Sequence, residues 1–108
     1  MPKQPDDPQL IATLESHGVN VRLRKSGQVH TLDFSKSSFP LDDQALLQLD
    51  SLQSLEVLNC ENTAISDASV TTLLKHQNLK LMTLTDTGVS VEGIKRLRQN
   101  MIGCRIIA

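Results

Sequence analysis

Leu55-Glu56-Val57-Leu58-Asn59-Cys60-Glu61-Asn62-Thr63-Ala64-Ile65-Ser66-Asp67 is followed, 24 residues on, by Leu79-Lys80-Leu81-Met82-Thr83-Leu84-Thr85-Asp86-Thr87-Gly88-Val89-Ser90-Val91. Set one above the other, the two stretches place like side chains together: Leu55 with Leu79, Leu58 with Met82, Thr63 with Thr87, Ile65 with Val89. The columns extend outward in both directions. Leu41 joins Ile65 and Val89, Asp42 joins Ser66 and Ser90, and Ala45 joins Ser69 and Gly93. Leu46, Val70 and Ile94 form another column, as do Leu49, Leu73 and Leu97, while Ile106 continues that of Leu58 and Met82. A constant period of like residues marks a stacked array of one structural unit.

Each column has a physical reason. Asp42, Ser66 and Ser90 are N-cap types standing where an apolar-periodic run begins, so each is expected to bond the first free N–H groups of a short helix. Leu46/Leu49, Val70/Leu73 and Ile94/Leu97 are spaced i, i+3 and give each helix one apolar stripe. The small residues Ala45, Ser69 and Gly93 would let the helix approach the sheet closely. Ahead of each cap, Leu55–Cys60 and Leu79–Leu84 end in apolar–polar–apolar alternation and read as brief strands with one buried face.

A unit of strand, turn, short helix and return resembles the leucine-rich repeat. Leu55-x-x-Leu58-x-Cys60-x-x-Thr63-x-Ile65 and Leu79-x-x-Met82-x-Leu84-x-x-Thr87-x-Val89 match its pattern, and Thr63-x-Ile65-Ser66-Asp67 is similar to short bacterial, planctomycete-like or cysteine-containing repeats. The first unit, Val29-x-x-Leu32-x-Phe34 then Leu41-x-Asp43, fits with two extra residues inside 35–40, and the last, Gly103-x-x-Ile106, breaks off at a strand. The resemblance implies an α/β fold: a short solenoid of mostly parallel strands, each followed by a short helix. About three repeats would occupy 29–102, between an N-terminal cap (1–28) and a C-terminal strand (103–108).

That cap is expected to be a helix and a β-hairpin. Asp7-Pro8 is an N-cap with proline at the first helical position, and Gly18 is placed to end the helix. Val19, Val21 and Leu23 alternate with polar residues, and Ser26-Gly27 suggests a two-residue loop setting Val21 opposite Leu32 and Val19 opposite Phe34. Such a lid would cover the edge of an otherwise open sheet.

Composition narrows the function classes. At 108 residues and 11.9 kDa the chain fits a single domain. A net charge of −1 argues against nucleic acid and anionic membranes as partners, since both call for a basic surplus. Two Phe with no Tyr or Trp remove the usual interface anchors, so any interface is expected to be aliphatic and modest in affinity. Cys60 and Cys104 form no metal-ligand or CxxC pattern and read as small apolar residues in a reducing compartment. Met1–Leu10 contain no apolar leader core, so a cytoplasmic location is expected.

Nothing in the chain assembles a known catalytic motif, cofactor loop or metal set. His17 and His76 are read as helix-end residues favoured by the dipole, as is the basic group Lys95, Arg96, Arg98 and Arg105; His30 falls in a strand. Asp42, Asp43 and Glu61 have cap or surface explanations. The resemblance instead implies a non-catalytic protein–protein interaction scaffold, binding another protein or weakly a second copy through the exposed strand face. The residues placed there are Thr31, Asp33, Val57, Asn59, Glu61, Leu81, Thr83 and Ile107, with Val57, Leu81 and Ile107 forming an apolar strip. An alternative is a STAS-like regulatory domain switched by phosphorylation of Ser66 or Ser69, since Ile65-Ser66-Asp67-Ala68-Ser69-Val70 faintly resembles that family's phosphosite loop. Parallel strands in sequential order would exclude it.

Overall fold

The structure, a computed structural model, describes residues 6–108; the first five residues of the expected N-terminal cap lie outside it. A helix α1 (Pro8–Ser16) leads into strands β1 (Asn20–Leu23) and β2 (Val29–Asp33). Helix α2 (Asp43–Leu47), strand β3 (Val57–Asn59) and helix α3 (Val70–Leu74) follow, then β4 (Leu81–Thr83), α4 (Val91–Asn100) and β5 (Arg105–Ile107). The five strands form one open sheet in the order β1-β2-β3-β4-β5. β1 is antiparallel to β2, and the remaining pairs are parallel. The parallel strands therefore run in sequential order, the arrangement set above against a STAS-like domain.

The register reproduces the sequence columns. Leu32 stands beside Leu58, Leu58 beside Met82, and Met82 beside Ile106, all buried. With Phe34, Cys60 and Leu84 they meet the helix residues Leu46, Leu73 and Leu97 in a single apolar core. Slots of aliphatic size suffice because the molecule is thin, 19 Å in its shortest dimension, with one layer of helices over one sheet face. Bulk is needed only where Phe34 meets Phe39, their rings 5.6 Å apart.

All three expected caps form. Asp42 Oδ1 accepts from the Ala45 amide at 2.8 Å, Ser66 Oγ from Ala68 at 3.3 Å and Ser90 Oγ from Gly93 at 3.2 Å. The turn before each of the last two caps is held by a hydroxyl four residues beyond the strand end: Thr63 Oγ1 donates to the Cys60 carbonyl and Thr87 Oγ1 to that of Leu84, both at 2.7 Å. Asn62 and Asp86, one period apart, take the left-handed conformation at φ 61° and 58°, which short polar side chains tolerate better than others.

In the first unit Ser37 Oγ donates equivalently to the Phe34 carbonyl at 3.0 Å, which places the two extra residues at Ser38 and Phe39. Both have a task. The Ser38 amide and hydroxyl close the C-terminal His17 carbonyl of α1 at 2.8 and 3.0 Å, and the Phe39 ring packs edge-on against the His17 imidazole. The insertion fastens the N-terminal helix to the rest of the fold.

One expectation is corrected and another extended. The hairpin loop has three residues, not two. Gly27 donates back to the Arg24 carbonyl, takes φ +91°, and Arg24 bonds Gln28 across the turn. The register then shifts between Arg22 and Leu23, so Leu23 faces Val29 and is exposed, while Val21 faces Leu32 as expected. Secondly, at Gly93 the small residue also serves contact with the preceding unit. A Cβ on Gly93 would lie 2.6 Å from Asp67 Oδ1 and 3.2 Å from Val70 Cγ2, both in the preceding unit, and 2.9 Å from Val89 Cγ1 in its own. Gly93→Ala is therefore expected to lower unfolding stability by about 1–3 kcal/mol through overpacking, read from the urea midpoint at unchanged slope. A neutral result would show that the Asp67 carboxylate gives way freely.

Candidate functional site

Alternation along each strand turns Leu32, Leu58, Met82 and Ile106 into the core and sends their neighbours to the opposite face. There Thr31, Val57, Leu81 and Arg105 lie side by side in one row across the sheet, with Asp33, Asn59, Thr83 and Ile107 in the next. The structure thus brings the expected face residues together in the expected rows, and places Glu61 just beyond the end of β3.

Several of these side chains are committed to the backbone. Asp33 Oδ1 accepts from the Ser35 amide at 2.9 Å and its hydroxyl at 2.6 Å, and Asn59 Oδ1 accepts from the Glu61 amide at 2.9 Å. Both fold back on the turn that follows their strand, a role open to Asx residues that Thr83 and Ile107 do not share. Thr31 Oγ1 lies 2.7 Å from the His30 Nδ1. Along the entry side of the strands, Glu56 pairs with Arg24 and, at 3.0 Å, with Lys80. An ion-paired rail therefore borders the face.

The apolar strip is only partly continuous. Val57 and Leu81 are direct neighbours and half-buried, whereas Ile107 stands diagonally from Leu81, beside Thr83, and is 41% exposed. Arg105, not Ile107, sits next to Leu81.

Other sequence candidates fall elsewhere. His17 has its ring Nδ1 2.9 Å from the Thr13 carbonyl, consistent with a helix-end position. His76 does not fit that reading: it is 1% exposed, with neither ring nitrogen in a hydrogen bond. Burial pushes its pKa below the usual 6.5, against the charge of Asp50 and the Leu52 backbone, so it is no cation at a helix end. Within the basic group only Arg98 lies in the last turn of α4, and its guanidinium reaches across to the Ile106 carbonyl at 3.2 Å.

The two serines of the STAS-like reading both donate to Asp43, Ser66 Oγ to Oδ2 at 2.6 Å and Ser69 Oγ to Oδ1. A phosphate on either would be pressed against a carboxylate. Burial pushes the Cys60 thiol up to about 12 and raises that of Cys104, so both stay protonated at neutral pH and serve as packing residues. Among the described residues no His, Cys, Asp or Glu cluster could hold a metal, and no helix is long and apolar enough to cross a membrane. Neither the family models nor the curated proteins compared with the chain match it.

Sequence reasoning missed the Asp43 clamp and the left-handed turn positions. The second left a signal, Asn62 and Asp86 at one period. The first left only a carboxylate one place after a cap, a position with many surface explanations.

Proposed function

We propose that the chain is a short leucine-rich-repeat array and acts as a non-catalytic scaffold for another protein in the cytoplasm. In this reading the sheet face opposite the helices is the docking surface. One observation carries it: Val57 and Leu81 stand side by side on that face, between Thr31 and Arg105. The fold reading is supported by the 24-residue register of β3, β4 and β5 and by three helix caps in one column. Free cysteines, one of them fully buried, suit a reducing compartment. Lacking Tyr and Trp, the face offers aliphatic and short polar contacts, which suits a modest affinity or weak self-association.

The test is a double variant, Val57→Glu with Leu81→Glu, compared with the wild type by affinity capture from the source lysate and by sedimentation. Partner capture or self-association is expected to vanish while the circular-dichroism melting temperature holds. Undiminished capture would remove the face from consideration, and a collapsed melt would assign the pair to the core.

A further inference from the structure

β5 is the last strand in the sheet order, and its side of the sheet differs from the internal junctions. Between units, the residue after each cap is an aspartate that bonds the next cap: Asp43 Oδ1 accepts from the Ser66 amide and Asp67 Oδ1 from the Ser90 amide, both at 2.7 Å. One period further the position is Val91, 82% exposed. A further unit of the same kind would find no acceptor there.

Val91 instead borders a groove of 620 Å³ whose apolar wall also includes Leu84, Val89 and Ile94. Lys95 and Arg98 supply its cations, and Asp86 is its one acidic side chain. Ala108, the residue after β5, also lines the groove, and among the described residues no strand pairs with the outer edge of β5. The Arg105 amide and Ile107 carbonyl of β5 bond to β4's side, so strand alternation turns the Ile106 peptide groups outward. Arg98 Nη2 occupies that Ile106 carbonyl, a side-chain cover of the kind that keeps an edge from pairing at random.

We propose that this edge and groove bind an extended segment of alternating apolar and acidic residues, added to the sheet as a sixth strand beside β5. Apolar side chains on one face would enter the groove, while a carboxylate takes the Arg98 guanidinium and frees the Ile106 carbonyl for the incoming backbone. Charge selects this occupant over a second copy. Two β5 edges would face Lys95, Arg98 and Arg105 with their duplicates, and the opposite sheet edge offers Arg22, beside Arg24, which Glu56 already pairs. This site is separate from the strand face proposed above.

The test titrates the full chain, amide-labelled for NMR, with a synthetic heptapeptide of alternating glutamate and valine. Saturable shifts confined to β5, to residues 84–91 and to α4 are expected. Replacing the glutamates with lysine, or the central valine with proline, is expected to weaken binding by about ten-fold or more. Lys95→Glu with Arg98→Glu, both surface changes, is expected to reverse the preference toward the lysine peptide. Absence of shifts at millimolar peptide, equal binding of the three peptides, shifts elsewhere, or an edge already occupied by a second copy in sedimentation would each overturn the proposal.

Discussion

Asp43→Ala is expected to destabilise the protein by about 2–4 kcal/mol, far more than a surface carboxylate normally costs. One side chain here serves three donors in the next unit: the Ser66 amide, the Ser66 hydroxyl and the Ser69 hydroxyl. Ser69 is 1% exposed, so its orphaned hydroxyl has no water to turn to, and that desolvation dominates the loss. Asp43→Asn keeps one acceptor oxygen and should lose less. Adding Ser69→Ala to Asp43→Ala should recover part of the deficit, because no buried donor is then left over. Asp67→Ala is the internal comparison. That carboxylate holds the exposed Ser90 amide and receives no serine hydroxyl, so its loss is expected to cost well under half as much. Acid titration gives a second readout. Partial burial works against the Asp43 charge, but the serine bonds prevail and hold its carboxyl below the usual 3.8. A depressed pKa means stability present above about pH 4 and lost as the pH falls through the native value. That fraction of the acid loss should disappear in Asp43→Ala. Equal costs for Asp43→Ala and Asp67→Ala would show that the clamp does not hold the units together.

The strand register and the caps were legible because each depends on spacing alone. Period-two burial within a strand and a 24-residue recurrence between strands leave one way to align Leu58, Met82 and Ile106. The same recurrence showed that two residues too many lie before Leu41, but not which two. Their identity depends on the contacts of Ser38 and Phe39 with α1, and no local pattern encodes those. The hairpin misled for the opposite reason, a local pattern taken at face value. Ser26-Gly27 suits a two-residue loop, yet Gly27 serves as the left-handed last residue of a three-residue one, and the shifted register turns Leu23 outward. The candidate face was readable as rows. Which of its members are free was not, because Asp33 and Asn59 look like recognition residues until their bonds to the following turn are seen.

The two edge strands of the sheet are each guarded against random pairing. At β1 the edge is bent by its register shift and charged by Arg22 and Arg24; at β5 the strand is three residues long and a guanidinium covers its outward carbonyl. Arg98→Ala is accordingly expected to leave the melt nearly unchanged while raising self-association at high concentration, measured by sedimentation. Unchanged sedimentation would show that shortness alone protects the edge.

His76→Leu is expected to stabilise the protein by about 1 kcal/mol at pH 7 and by more at pH 5.5. In the 24-residue frame His76 occupies the slot that Leu52 fills one unit earlier, and both are buried almost completely. An imidazole there presents two nitrogens without a hydrogen bond, and Asp50 Oδ1 nearby is likewise unpaired. Leucine removes the unmet polar atoms and repeats a residue the slot already accepts, so the gain from lost desolvation outweighs the change of shape. The pH dependence separates this from simple repacking. Burial lowers the native pKa below 6.5 more strongly than the Asp50 charge and the Leu52 backbone raise it. As the pH falls through 6.5 the unfolded chain therefore takes up a proton that the native chain resists, and wild-type stability declines. His76→Leu should abolish that decline between about pH 7.5 and 5.5, leaving only the carboxylate losses at lower pH. Urea midpoints across this range for the two proteins provide the measurement. A decline of equal size in both would mean that the His76 ring is protonated inside the fold, with Asp50 as its partner, and that the slot is polar after all.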